Sequence, residues 1–79
     1  TQKITVSVER KKFRREYTII SGIDDKEIDM DQLAKKLKNK FACGGTVKNS
    51  KIELQGNHSK RIKGELVGLG FAAETIIVK

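Results

Sequence analysis

Residues 28–56 read IDMDQLAKKLKNKFACGGTVKNSKIELQG, and this stretch decides the fold because it contains a capped helix, two glycines and a tight hairpin in succession. Asp29 can cap the helix, with Gln32 three residues later completing a capping box. The apolar residues that follow recur at the spacing of one helix face: Met30, Leu33, Ala34, Leu37 and Phe41. We therefore expect about three turns of amphipathic helix. The helix should end at Gly44 and Gly45, because glycine takes the left-handed C-cap conformation without a Cβ penalty.

The sequence after these glycines predicts a β-hairpin. Two short segments of alternating polarity flank residues 49–50, Asn-Ser, which form a two-residue loop of the kind that fixes hairpin register. That register pairs Lys48 with Lys51 and Val47 with Ile52. One face of the hairpin is then apolar and the other polar, as expected where a sheet buries one face.

The rest of the chain completes the order β-β-α-β-β-α-β. The expected strands cover residues 3–9, 16–21, 46–48, 52–55 and 75–78. A second helix begins near Asn57 or Ser59, either of which can cap it, and ends at Gly70. Each helix has a single apolar stripe, so we expect an α+β two-layer sandwich with one mixed sheet and both helices packed on one face.

Length and composition narrow the classes of function. The 79 residues are expected to form one domain, residues 1–79. Seventeen Lys and Arg against ten Asp and Glu give a net charge of +7, which favours nucleic acid as the partner. No segment is suited to a membrane. One cysteine and one histidine make neither a disulfide nor a zinc site, so no metal or cofactor is expected, and the cysteine usage fits a reducing compartment. Cys43 is interpreted as structural.

The densest charge is the segment Arg10–Arg15, which is expected to form the loop of the first hairpin. Its basic residues are Arg10, Lys11, Lys12, Arg14 and Arg15. They can form a finger for RNA phosphates, or they can be a solvated loop. Repulsion among five cations favours the finger, because it is costly unless an anion lies nearby. Phe13 is either a stacking platform for a base or an anchor for the loop.

The first helix carries a second group of candidate RNA-binding residues. Lys35 and Lys38 are neighbours on one exposed face, and Lys36 and Lys40 form another pair one turn apart. These lysines either bind RNA or serve solubility. His58, Lys60 and Arg61 are a secondary RNA contact or an exposed turn. No arrangement of catalytic residues is present, so an enzyme is not expected.

The segment FACGGTV at residues 41–47, preceded by the lysine-rich helix and followed by IELQG at 52–56, closely resembles the archaeal and eukaryotic translation initiation factor 1 family with its Sui-type domain. The order of elements agrees over nearly all of the chain. The resemblance implies the same fold and a cytoplasmic, non-catalytic, monomeric protein that binds the small ribosomal subunit near the peptidyl site and promotes accurate start-codon selection. The implied partners are small-subunit ribosomal RNA, mRNA, initiator tRNA and other initiation factors.

The resemblance also implies roles for individual residues. Lys35 and Lys38 match basic helix residues through which family members bind the small subunit, and the basic hairpin matches a loop that inserts near the decoding site. Arg14 stands about where members usually have glycine, and Asn57 stands where aspartate is usual. Two alternatives stay open: a density-regulated-type domain acting in reinitiation or recycling, and a general RNA chaperone or protein-interaction module.

Overall fold

The computed structural model describes residues 3–79, so Thr1 and Gln2 of the expected domain lie outside the described part. The strands are β1 (Ile4–Lys11), β2 (Arg15–Ser21), β3 (Gly45–Lys48), β4 (Lys51–Gln55) and β5 (Ile76–Val78). The helices are α1 (Met30–Phe41) and α2 (Ile62–Gly68), and short 3₁₀ turns lie at Lys12–Arg14 and Ala73–Thr75. The order of elements along the chain is the one that the sequence predicts.

The five strands form one mixed sheet in the order β3-β4-β2-β1-β5. Strands β1 and β5 are parallel and the other neighbours are antiparallel. The residues of one sheet face are buried together with the apolar stripes of both helices, and the fully buried members include Ile4, Val6, Ile20, Leu37, Ile52, Leu54, Ile62 and Leu66. The α+β two-layer sandwich is therefore confirmed, and it leaves the other sheet face open.

The β3-β4 hairpin has the predicted register. Lys48 pairs with Lys51 and Val47 pairs with Ile52. The two loop residues, 49 and 50, have φ angles of 51° and 60°, as a two-residue hairpin turn requires. Local turn geometry and hydrophobic alternation therefore specify the same pairing.

The start of α1 confirms Asp29 as the N-cap but not the capping box that the sequence predicts. The Asp29 carboxylate accepts hydrogen bonds from the backbone amides of Asp31 and Gln32 at 3.1 and 3.2 Å. Within the described chain, the side chain of Gln32 returns no hydrogen bond to Asp29, so the cap is one-sided. The predicted apolar stripe faces the sheet.

The end of α1 corrects the sequence prediction, which assigned the helix stop to Gly44 and Gly45. The helix ends at Phe41, and Ala42 takes the left-handed conformation with φ 49° and ψ 48°. Neither glycine has a positive φ. A Cβ on Gly45 would lie 2.5 Å from the carbonyl oxygen of Glu53. Close approach to β4, and not helix termination, is the reason that this position takes glycine.

The Ala42→Gly variant is expected to be more stable than the wild type by about 0.5 to 1 kcal/mol. The left-handed conformation costs alanine about 1–2 kcal/mol, and glycine removes this cost. Part of the gain is offset because glycine has a higher chain entropy in the unfolded state. Urea unfolding followed by circular dichroism measures the difference. Ala34→Gly, inside α1, is the control and should lose about 1 kcal/mol or more. A loss of stability at both positions would contradict the assigned C-cap.

The start of α2 is a further correction, because neither Asn57 nor Ser59 caps it. The N-cap is Arg61, without a side-chain hydrogen bond. The side-chain oxygen of Asn57 instead accepts from the amide and hydroxyl of Ser59 at 3.1 and 2.7 Å, which closes a separate turn ahead of the helix. The helix ends at Gly68 with Leu69 as its C-cap, slightly before the predicted Gly70. Gly70 is the left-handed residue that follows, with φ 107°, and the amide of Phe71 donates to the carbonyl of Leu66 in the last turn.

Candidate nucleic-acid interface

The paired strands of the first hairpin are longer than the sequence predicts. The expected six-residue loop Arg10–Arg15 is wrong, because strand pairing continues to Lys11 opposite Arg15 and leaves only Lys12–Arg14 outside the strands. The amide of Arg15 donates to the carbonyl of Lys12 and closes the turn. The basic residues are therefore presented on the end of a paired ribbon, which holds them away from the core.

Lys11 differs from the other four cations of this hairpin. Its ammonium lies 2.7 Å from a carboxylate oxygen of Glu53 and 4.8 Å from the ring centroid of Tyr17, on the open face of the sheet. The hydrogen bond to Glu53 is the main cause that raises the pKa of Lys11. Strand alternation turns this side chain onto the face that also carries Glu53. Lys11 is therefore already paired within the fold.

The remaining four basic residues are named here the hairpin cations: Arg10, Lys12, Arg14 and Arg15. All four are exposed. The ion pairs among residues 3–79 are Lys11–Glu53 and Arg61–Glu65, so none of the hairpin cations is neutralised by a carboxylate in the described chain. Glu16 lies opposite Arg10 in the β1-β2 register but forms no ion pair with it, so the hairpin keeps a net positive charge that is suited to a polyanion.

Phe13 lies between the hairpin cations at the tip. Its side chain is 89% exposed, so it does not anchor the loop. Phe13 and Arg14 have φ angles of 63° and 59°, a left-handed conformation that costs about 1–2 kcal/mol for each residue other than glycine. Leaving the ring in water forgoes a further burial free energy of about 1.5–3 kcal/mol. The sequence prediction left two roles open for Phe13, and the structure removes the anchoring role.

The structure separates the four candidate lysines of α1 into two groups. Lys35 and Lys38 border a shallow groove between α1 and β3, which Thr46 and Val47 also line together with Asp29 and Asp31 from the start of the helix. Lys36 lies on the other side of the helix, beside a groove lined by Ile28, Leu33, Leu69 and Phe71. Lys40 is exposed one turn after Lys36, near the end of α1. A single flat surface therefore cannot contact all four lysines equally.

The end of α1 is joined to the segment before α2 by an aromatic cluster of Phe41, His58 and Arg61. The Phe41 and His58 rings stack with centroids 4.5 Å apart, and the Arg61 guanidinium lies 5.6 Å from the Phe41 centroid. A ring nitrogen of His58 is 2.7 Å from the carbonyl oxygen of Gln55. Lys60, in the same turn, is exposed. His58 and Arg61 are thus brought together by a contact that sequence reasoning did not identify.

Thr18 holds this segment against the base of the hairpin. Its hydroxyl is fully buried, donates to the carbonyl of Gly56 at 2.8 Å and accepts from the amide of His58 at 2.9 Å. The amide of Gly56 donates to the carbonyl of Glu16 at 2.8 Å. The sequence could have indicated that Thr18 makes a buried hydrogen bond, because strand alternation places this polar residue on the same buried face as Ile20.

The fold collects positive charge at one end of the sheet, here called the basic end. Strands β1 and β4 end there, β2 and β3 begin there, and the aromatic cluster brings in the end of α1. The hairpin cations, Lys40, Lys60 and Arg61 therefore share this end. The opposite end holds the acidic residues Asp24, Asp25, Glu27, Asp29 and Asp31 beside Lys3, Lys26, Lys48 and Lys51, so the net positive charge lies at the basic end. Such separation of charge orients a protein toward a polyanion.

The remaining chemistry of the described chain is limited. Desolvation raises the pKa of the half-buried Cys43 thiol, which disfavours the reactive thiolate. Residues 3–79 contain no group of three His, Cys, Asp or Glu side chains placed to hold a metal ion. No helix in the same range is long and apolar enough to cross a membrane. The basic surfaces are therefore the best candidates for a functional site.

Comparison with known proteins identifies the family. The family model described as "Translation initiation factor SUI1" matches residues 1–72. The protein translation factor SUI1 homolog of Pyrococcus furiosus is 56% identical over 78 residues, which are 99% of this chain and 80% of that protein. The homolog of Thermococcus kodakarensis is 55% identical over the same share of both chains. The homolog of Methanosarcina barkeri is 52% identical over 95% of this chain and 74% of its own length. The chain therefore belongs to the translation initiation factor SUI1 family.

Proposed function

We propose that this protein binds the small ribosomal subunit near the peptidyl site and promotes accurate start-codon selection with initiator tRNA, without catalysing a reaction. Membership of a translation initiation factor family supports this role. The observation that carries it is the set of hairpin cations, all exposed and without an ion pair in the described chain, on a paired ribbon at the basic end. A projecting basic ribbon can reach into an RNA-lined cleft that the body of the domain cannot enter.

The proposed contacts have two roles: one set orients the domain on ribosomal RNA, and the other contacts the mRNA and the initiator tRNA. Lys35 and Lys38 bind phosphates of ribosomal RNA and set the orientation of the domain. The hairpin cations reach the mRNA and the initiator tRNA, where arginine can fork to phosphates or stack on exposed bases. Lys36 and Lys40 add further contacts to ribosomal RNA, and a secondary RNA contact is formed by His58, Lys60 and Arg61. The protein acts in the cytoplasm as a monomer together with other initiation factors.

Replacing Arg14 and Arg15 together by alanine is expected to relax start-codon discrimination about tenfold, or ~1.4 kcal/mol. Binding to the empty small subunit should change much less, because the hairpin contacts lie on mRNA and tRNA in this proposal. Both side chains are exposed, so the fold should persist. Toe-printing of reconstituted initiation complexes on AUG and near-cognate codons measures the discrimination.

The matched control removes the same charge elsewhere. Lys48 and Lys51 face each other beside the β3-β4 turn, at the end of the sheet opposite the hairpin. Their double alanine variant should discriminate start codons like the wild type. Unfolding of the Arg14 and Arg15 double variant, or normal discrimination by it, contradicts the proposed role of the hairpin.

A further inference from the structure

We propose that Phe13 is a base-stacking residue that docks its ring on an unpaired RNA nucleotide while the hairpin cations hold the neighbouring phosphates. The inference rests on the proposed function in one respect, since it takes RNA as the ligand. It adds a recognition element that reads the face of a base, whereas cations bound to phosphates are indifferent to whether the bases are paired.

The exposure of the ring is the first observation. Phe13 is 89% exposed, and the next most exposed large apolar side chain in the described chain, Ile77, is 46% exposed. The other two phenylalanines, Phe41 and Phe71, pack against the core. The fold therefore buries part of every other phenylalanine and presents this one to solvent.

The backbone at the tip is the second observation. Phe13 and Arg14 are consecutive residues at positive φ, in a turn where the pair Asn-Gly is strongly preferred. A phenylalanine at this position stabilises neither the turn nor the core. The paired strands below the tip end at Lys11 and Arg15, so the ring projects beyond the last pair of the ribbon. These features favour a contact outside the chain as the role of Phe13.

The chemistry around the ring selects the ligand. Lys12 and Arg14 flank Phe13 directly, and Arg10 and Arg15 lie within three residues of it. Cations with an interleaved aromatic ring match a single-stranded nucleic acid, which offers phosphates and free base faces side by side. A duplex hides its base faces in the stack. An anionic membrane could also receive a basic tip with one ring, but the family of this chain acts in translation, which favours RNA.

A tryptophan probe tests the stacking directly. The chain contains no tryptophan, so Phe13→Trp introduces a single reporter at the tip. Its fluorescence is titrated with a single-stranded RNA decamer, with an abasic decamer of equal charge, and with vesicles of phosphatidylcholine and phosphatidylserine. We expect strong quenching by the single-stranded RNA and little by the abasic strand. Equal quenching by both strands, a response to vesicles alone, or no response to any of the three overturns the proposal.

Substitutions at Phe13 separate stacking from charge. Phe13→Leu should bind the decamer about 5- to 100-fold more weakly with an unchanged salt slope, because stacking is lost and phosphate contacts are kept. Phe13→Tyr should bind like the wild type. Arg14→Ala should lower the log–log salt slope by about 0.7, the value for one phosphate of a single strand. Wild-type affinity of Phe13→Leu would overturn the proposal.

The two proposals fail in different ways. If Phe13→Leu binds the decamer normally while the wild type still prefers the small ribosomal subunit, the stacking inference fails and the proposed function stands. If the wild type shows no preference for the small subunit but Phe13→Trp is quenched by single-stranded RNA only, the proposed function fails and the stacking inference stands.

Discussion

The Gly22→Ala variant is expected to lose about 3 to 5 kcal/mol of its free energy of unfolding, the largest loss that we expect from a single added methyl group. Gly22 has φ 86°, and a Cβ there would lie 2.0 Å from the carbonyl oxygen of Lys3. The left-handed penalty and a backbone overlap therefore act together, and no flexible side chain can move aside to relieve them. The total free energy of unfolding of a domain of this size is only about 4–12 kcal/mol. Urea unfolding followed by circular dichroism measures the loss.

Gly64 supplies the matched control for this experiment. It lies inside α2, and an added Cβ would meet no atom within 4 Å. Gly64→Ala should therefore gain about 1 kcal/mol from helix propensity. The two variants add the same methyl group, but the free energy of unfolding is expected to fall in Gly22→Ala and to rise in Gly64→Ala. A Gly22→Ala protein as stable as the wild type would show that the β2-α1 connection does not approach Lys3 closely in solution.

Replacing Lys35 and Lys38 together by alanine is expected to weaken binding to the small ribosomal subunit about 25- to 60-fold at 0.1 M salt. Each phosphate contact contributes about 0.7 to 0.9 to the log–log salt slope, so two lost contacts lower the slope by about 1.4 to 1.8. Lys35 is exposed and Lys38 partly exposed, and neither is in an ion pair of the described chain, so the fold should persist. Co-sedimentation with purified subunits across a salt series measures both quantities.

The control for this pair is again the alanine variant of Lys48 and Lys51, which removes the same charge. Like charges directly opposite on a sheet repel, so the control should not lose stability. Its binding should stay close to that of the wild type. Equal losses in both double variants would mean that net charge, and not contact by α1, governs binding. Equal binding of the wild type to both subunits would instead favour a general RNA-binding chaperone.

The local elements were open to prediction because their determinants lie close together in sequence. Asp29 caps α1 by accepting from amides two and three residues away. The β3-β4 register depends on a two-residue loop and on apolar alternation. The candidate cations were equally accessible, because a run of basic residues is visible without a fold. Which of these cations lie together could not be predicted. Lys11 is paired with a glutamate 42 residues away, and Lys36 lies on a different side of α1 from Lys35 and Lys38.

The sequence by itself determined the kind of each element, its order, the apolar faces and the positive charge, because periodicity, capping and turn chemistry act over a few residues. Tertiary structure decided where strand pairing stops in the first hairpin, why position 45 is glycine, and how Thr18 and the aromatic cluster join the hairpin to the segment before α2. The contacts of Thr18 and of the aromatic cluster join atoms up to 40 residues apart, such as the Thr18 hydroxyl and the His58 amide. Only the packed sheet brings such atoms within hydrogen-bonding distance, so no local pattern could have specified them.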